Sequence, residues 1–261
     1  MNIIIPMAGH SRRFKKAGYK DLKQFIKIDG KYMIDHVCDM FSPQDHFIFV
    51  CNKEHLDDNP KYREILKGLR QAYSICEIEP HEDGPVYSAL QAKAHIKNFN
   101  EPIILSYCDF TVQWDYNQFL RKSAQYDASM AVFKGFHPAS FGDTYYAYVR
   151  ENEDMEMLEL REKNSFTDKR WNEYASTGIY YVESWDIFEK YSRELLDKKD
   201  KVAAEYYCSL IYNYFVRDHL KVGLYEVDKF ICWGTPEDLK EYDFWSDYFR
   251  NNVKFIKEKQ I

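Results

Sequence analysis

No apolar run near the start of this sequence is long enough to cross a bilayer, and none carries the basic flank of a secretory signal. The longest there is Ile3-Ile4-Ile5-Pro6-Met7-Ala8. A cytoplasmic protein with no membrane partner is therefore expected. An excess of basic residues is missing too. The 36 Lys and Arg against 42 Asp and Glu give a net charge of −6, which removes any global field for nucleic acid and leaves an anionic ligand dependent on a local basic patch. The six cysteines (Cys38, Cys51, Cys76, Cys108, Cys208 and Cys232) form no C-x-x-C pair and read as reduced core residues. Histidines at H-x-x-x-H or H-E-x-x-H spacing, a G-x-S-x-G elbow, a Walker A loop and a G-x-G-x-x-G fingerprint are all absent. Zinc hydrolysis, serine hydrolysis and the two common phosphate-loop designs thus lose their support. With 10 glycines and 8 prolines in 261 residues, there is no Gly- or Pro-rich linker, and no internal repeat is found. One continuous domain over residues 1–250 with a basic tail at 251–261 is the expectation.

What is present is a large apolar content, 45% hydrophobic and 17% aromatic, enough for a sizeable core. Short apolar runs at Asn2–Pro6, His46–Cys51, Tyr73–Ile78, Pro102–Cys108 and Ser129–Lys134 alternate with segments at Lys31–Phe41, Tyr62–Ala72, Val86–Ile96 and Tyr116–Tyr126. The latter carry apolar residues at three- and four-residue steps, as crossover helices do. This is the rhythm of βαβ units, and it predicts an α/β fold with ligands at the carboxyl ends of its strands. Beyond about Gly135 the aromatic runs Tyr145–Val149 and Tyr174–Val182 read as strands of a mixed or antiparallel portion. The polar segment Asn152–Trp171 reads as containing a loop, and Trp185–Leu195, Ala203–His219 and Glu237–Phe249 read as helices.

The strongest local signal follows the first strand. From Arg12 to Lys31 there are eight basic residues against two acidic ones, Asp21 and Asp29. Small residues at Ala8, Gly9 and Ser11 let backbone N–H groups approach phosphate oxygens, while Arg13 and Lys23 bring mobile positive charge to the same place. The stretches Met7-Ala8-Gly9-His10-Ser11-Arg12-Arg13 and Lys23-Gln24-Phe25-Ile26-Lys27-Ile28-Asp29-Gly30-Lys31-Tyr32-Met33-Ile34 resemble the opening of the sugar-phosphate nucleotidylyltransferases, the nucleoside-triphosphate transferases that make nucleotide sugars. Those open with an A-A-G-x-G-x-R loop and then K-P-L-x-P-x-x-G-K-P-M-I. Ser11 replaces the second glycine and Gln24 and Tyr32 replace prolines, with the arginine and the lysine kept in register. Further matches follow in order at Gly84–Leu90, Tyr107-Cys108-Asp109, Glu162-Lys163, Ala175–Tyr180 and Trp233–Leu239.

The resemblance implies a Rossmann-like, GT-A-type mixed sheet, mostly parallel, with helices on both faces. It implies a nucleoside triphosphate held by Met7, Ala8, Gly9, His10, Ser11, Gly84 and Pro85, with Arg13, Lys23 and Asp109 as catalytic groups. Asp109 resembles the family's magnesium ligand. A second aspartate, usual just before the Gly-Thr-Pro stretch, is replaced by Cys232, so Asp228 is the remaining candidate. Glu162, Lys163, Thr177 and Gly178, with Tyr148 from the aromatic strand, are expected around a sugar or polyol phosphate acceptor. The expected reaction joins the two substrates and releases pyrophosphate. The Pro6-Met7-Ala8-Gly9 form and the Trp233-Gly234-Thr235-Pro236 ending resemble a branch serving capsule and other surface polysaccharides, which favours a pyrimidine nucleotide. A GT-A glycosyltransferase is the alternative, although Asp109-Phe110-Thr111 lacks the second carboxylate of D-x-D; a non-catalytic ligand-binding relative is the third. A homo-oligomer is left open.

Overall fold

The computed structural model describes residues 1–135, 137 and 145–257, with side chains as far as Arg250. Strand β1 (Asn2–Pro6) sends Ile3 and Ile5 into one hydrophobic cluster and Ile4 into another. A strand buried on both faces in this way lies inside its sheet. β2 (Lys27–Ile28) and β3 (Lys31–Tyr32) form a small hairpin. β4 (His46–Asn52) pairs parallel with β1, β5 (Tyr73–Ile78) with β4, and β6 (Ile103–Ser106) with the other edge of β1. The chain thus grows outward from β1 in one direction and then reverses, and such a reversal opens a crevice beyond the carboxyl ends of β1 and β6.

The second half completes a mixed sheet. β7 (Phe110–Gln113) leaves it, β8 (Ala128–Phe133), β9 (Ala147–Glu151) and β10 (Met157–Glu162) rejoin it, and β11 (Tyr174–Val182) runs antiparallel to β6, β8 and β9. β12 (Val222–Glu226) pairs parallel with β8, and β13 (Lys229–Cys232) pairs with β7 in a separate ribbon. Helices Met33–Asp39, Lys53–Asp58, Lys61–Leu69 and Tyr116–Ser123 cover one face through Ile34, Val37, Leu56, Leu66 and Phe119. Helices Pro85–Leu90, Trp185–Asp197 and Leu210–Arg217 cover the other through Val86, Trp185, Phe188, Ile211 and Phe215. The Rossmann-like sheet with helices on both faces is therefore what the chain forms.

Local departures have physical reasons. The expected helix at Ala203–His219 begins only at Leu210, because Ala203 and Ala204 adopt left-handed backbone angles (φ 49° and 71°) that no right-handed helix contains. The polar stretch before Trp171 contains β10 as well as a loop; paired, among the described residues, on one edge only, β10 has little need of an apolar run. Lys53–Asp58 is an additional helix, capped by Asn52 Oδ1, which accepts from the Glu54 N–H at 2.9 Å. The final helix, Pro236–Lys257, crosses residue 250 into the segment read as a tail, whose last residues, 258–261, lie outside the described residues. All six cysteines are free. Among the described residues, no helix is long and apolar enough to cross a membrane.

Candidate active site

The crevice at the ends of β1 and β6 is a cavity of about 720 Å³, a volume typical of small-molecule sites. Its near wall is the loop after β1. Ser11 there takes φ 51°, the region that favours glycine. Its Oγ compensates by accepting from the Lys23 N–H at 3.1 Å, which ties the loop to the turn that carries Lys23. Of the eight basic residues between Arg12 and Lys31, only Arg12, Arg13 and Lys23 line the cavity. Lys31, for instance, is spent on Asp39 at 2.8 Å. Arg12 closes an exposed ion pair with Glu82 at the rim.

Lys23 Nζ lies 2.5 Å from Asp109 Oδ2, with both side chains largely withdrawn from solvent at 25% and 18% exposure. Burial acts to lower the Lys23 pKa, but the Asp109 carboxylate overrides it and holds the ammonium above its ordinary range, so Lys23 stays charged. Asp109 projects from the turn after β6, where its carbonyl accepts from the Trp233 N–H at 2.8 Å. That bond brings Cys232 and Gly234 beside it: a Cβ on Gly234 would sit 3.4 Å from Asp109 Oδ2 and 3.3 Å from Cys232 Sγ. Burial first, and then Asp109 and Asp238, push the Cys232 thiol up to about 12, so it stays a neutral and poor ligand for a hard cation.

The opposite wall comes from the antiparallel half. Glu162 ends β10, donated to by Ser209 Oγ and held above the usual carboxylate range by burial. Lys163 follows in a left-handed turn (φ 56°), its Nζ 4.8 Å from the Tyr207 ring centroid. Thr177 Oγ1 donates to the Ala131 carbonyl at 3.0 Å. Gly178 (φ 99°) sits where β11 shifts register, and a Cβ there would lie 2.9 Å from the Tyr107 ring. The glycine therefore makes room for Tyr107, whose hydroxyl accepts from the Cys208 N–H at 3.2 Å and anchors the loop before the helix at Leu210. Gly84 (φ 90°) allows a second close approach, since a Cβ there would meet Glu205 Cβ and Tyr206 N at 2.9 Å.

The cavity thus gathers Met7, Ala8, Gly9, His10, Ser11, Arg13, Lys23, Gly84, Pro85, Asp109, Glu162, Lys163, Thr177 and Gly178. Two expected residues do not line it. Tyr148 is buried at 2% exposure in the cluster on the other side of its strand, since alternate residues face opposite ways and Ala147 takes the cavity side. Asp228 is exposed at the far end of the β7–β13 ribbon, where its N–H donates to Gln113. Four residues of strand, roughly 13 Å, separate it from Cys232. Conversely, Ala203, Ala204, Glu205 and Tyr207 line the cavity from the loop after Trp185–Asp197, and their helix-like composition gave no sign of it.

Among the described residues no cluster of three His, Cys, Asp or Glu is arranged to hold a metal. Asp109 alone fits one coordination position of magnesium, an ion that commonly takes one or two carboxylates and completes its shell with water and substrate phosphate. Among the described residues the charged groups of the lining balance, Arg12, Arg13, Lys23 and Lys163 against Glu82, Asp109, Glu162 and Glu205, so they hold no excess positive charge against a polyanion.

The sequence profile of the MobA-like NTP transferase domain matches residues 3–166. No curated protein sequence matches the chain. Among solved structures, the chain is similar to the nucleoside-diphosphate-sugar pyrophosphorylase from Vibrio cholerae RC9, at 21% identity over 92% of this chain and 99% of that one, with a TM-score of 0.73. It is also similar to the inositol-1-phosphate CTP transferase from T. maritima (17% identity, 95% and 96% covered, TM-score 0.66). A UDP-glucose pyrophosphorylase complexed with UDP-glucose gives 18% identity, 96% and 98% coverage and a TM-score of 0.69. At these identities the likeness is one of fold.

Proposed function

Because this chain belongs to the MobA-like NTP transferase family, and so is a nucleotidyltransferase, we propose that it joins a nucleoside triphosphate to a sugar or polyol phosphate and releases pyrophosphate. Residues 1–250 serve as one transferase domain in this reading. The acceptor's phosphate oxygen attacks the α-phosphorus in line; the bond to the acceptor forms as the bond to pyrophosphate breaks. An anionic oxygen needs no general base, so the protein's work is to position two polyanions and offset their charge. The observation that carries the reading is one cavity lined by Arg13, Lys23, Asp109 and Lys163 together.

In this reading the Met7–Ser11 loop and Gly84-Pro85 hold the triphosphate. Arg13 stabilises the departing pyrophosphate. Lys23 keeps one of its three donors on Asp109 and turns the others toward the transferring phosphoryl group. Lys163 holds the acceptor phosphate, with Glu162, Thr177 and Gly178 around the rest of that molecule. Asp109 would hold magnesium, which when bound supplies the positive charge that the neutral lining lacks. A pyrimidine nucleotide is favoured, consistent with two structural neighbours named for CTP and UDP-glucose. A role in capsule or other surface-polysaccharide synthesis rests on the sequence resemblance. Screening CTP, UTP, dTTP, ATP and GTP against a panel of sugar and polyol phosphates tests the proposal: pyrophosphate release dependent on both substrates supports it, and nucleoside diphosphate release from a nucleotide sugar supports the glycosyltransferase instead.

A further inference from the structure

The last helix has two faces of opposite character. Leu239 is buried, Tyr242 packs on Trp233 at 5.4 Å between ring centroids, and Tyr242, Ser246 and Arg250 all bond the Asp29 carboxylate. These positions, three or four residues apart, fix one stripe of the helix to the β2–β3 hairpin. The flank beside this stripe carries Phe244, Trp245, Tyr248 and Phe249, exposed at 63%, 46%, 51% and 57%. Their rings touch one another: Trp245 stacks on Phe249 at 6.0 Å and meets Tyr248 edge-on at 5.9 Å. Held by its anchored side, the helix presents these aromatics outward in a fixed orientation. Exposed apolar patches rimmed by polar residues mark interaction sites.

We propose that this aromatic face pairs with the same face of a second copy of the chain, antiparallel and about a two-fold axis. Its order supports self-pairing. About a centre between Ser246 and Asp247, Phe244 faces the partner's Phe249 and Trp245 faces the partner's Tyr248, so that each of the four aromatics meets another. The aromatics supply most of the area needed. Four side chains of 150–250 Å², each about half exposed, offer roughly 400 Å² per chain and about 800 Å² per pair, so flanking residues must add about 200 Å² or more to reach the ~1,000 Å² of a specific interface. Charge gives an anionic membrane no particular hold on the helix: from Pro236 to Lys257 there are five acidic residues against four basic ones.

The test is sedimentation of the full chain from about 1 to about 100 µM, a span that reveals a dissociation constant in the micromolar range. A concentration-dependent dimer is expected. Phe244→Asp and Phe249→Arg, both at exposed positions, should each weaken it by at least about thirtyfold, as loss of a central aromatic contact does, with unchanged circular dichroism and melting. Mixing the two variants should restore a dimer, because in the antiparallel register the introduced acid of one copy faces the introduced base of the other. A wild type monomeric throughout, a dimer indifferent to both substitutions, a mixture that stays monomeric, or a monomer that binds phosphatidylserine vesicles through this face would each overturn the proposal.

Discussion

Ser11 condenses the residue-scale chemistry of the site. It occupies a left-handed backbone position and its hydroxyl fixes the Lys23 amide. Ser11→Ala keeps the strain and loses the bond, so it should cost about 1 kcal/mol, whereas Ser11→Gly trades one for the other and should leave the melting temperature nearly unchanged. Arg13→Ala and Lys23→Ala should each lower turnover by at least about a hundredfold with the fold retained, since each removes charge expected to act mainly in the transition state. Near-wild-type rates in both folded variants would remove the loop from the mechanism. His55, packed edge-on to His10 at 5.4 Å, is pushed down to about 4 by burial first and then by Lys15 and His10. Its neutral form is the one the fold accepts. The stability it supports is fully present above its unfolded value near 6.5 and is lost as pH falls from there toward 4. His55→Phe should therefore flatten the acid limb of the melting temperature between those values, by an amount of order 1 kcal/mol after allowance for its partial exposure. An acid limb identical to wild type would contradict the assignment.

At the scale of elements, the acceptor wall is built from pieces distant in sequence, and this decided what the sequence could reveal. The parallel half was legible because its inner strands are buried on both faces and read as nearly unbroken apolar runs, as β1 and β4 do. Arg13, Lys23 and Asp109 were legible because they sit in contiguous motifs at strand ends. Glu205 and Tyr207 were not, because Ala203-Ala204-Glu205-Tyr206-Tyr207 has helical composition and is held out of helix by tertiary contacts at Gly84 and Tyr107. Tyr148 stands one strand position from Ala147, and that single step turns its side chain to the face away from the cavity. Two element-scale outcomes follow. Lys163→Ala should lower kcat/KM for the acceptor by about ten- to a thousandfold while triphosphate affinity stays within about threefold; the reverse pattern would mean the two subsites are exchanged. Gly84→Ala, which forces a Cβ into Glu205 and Tyr206 at an unfavourable φ, should cost about 2–4 kcal/mol, and an unchanged denaturation midpoint would show that the loop can move aside freely.

At the scale of the whole molecule, a chain of net charge −6 is proposed to bring two polyanions together in a cavity whose ionised groups, among the described residues, cancel. In the proposed reaction a divalent cation would resolve that conflict, and Asp109 is the carboxylate that would hold it at the end of β6. Activity should therefore vanish in excess chelator and in Asp109→Asn, where the amide keeps the shape without the charge. The central claim, transfer of the nucleotidyl group, is tested most directly by following label from a triphosphate that carries ³²P at the α-position. The account predicts that, with the accepted sugar or polyol phosphate present, the α-label moves into a nucleoside-diphosphate-linked product while unlabelled pyrophosphate is released in equal amount. An α-label that stays on free nucleoside mono- or diphosphate, or pyrophosphate release that does not depend on the acceptor, would contradict it.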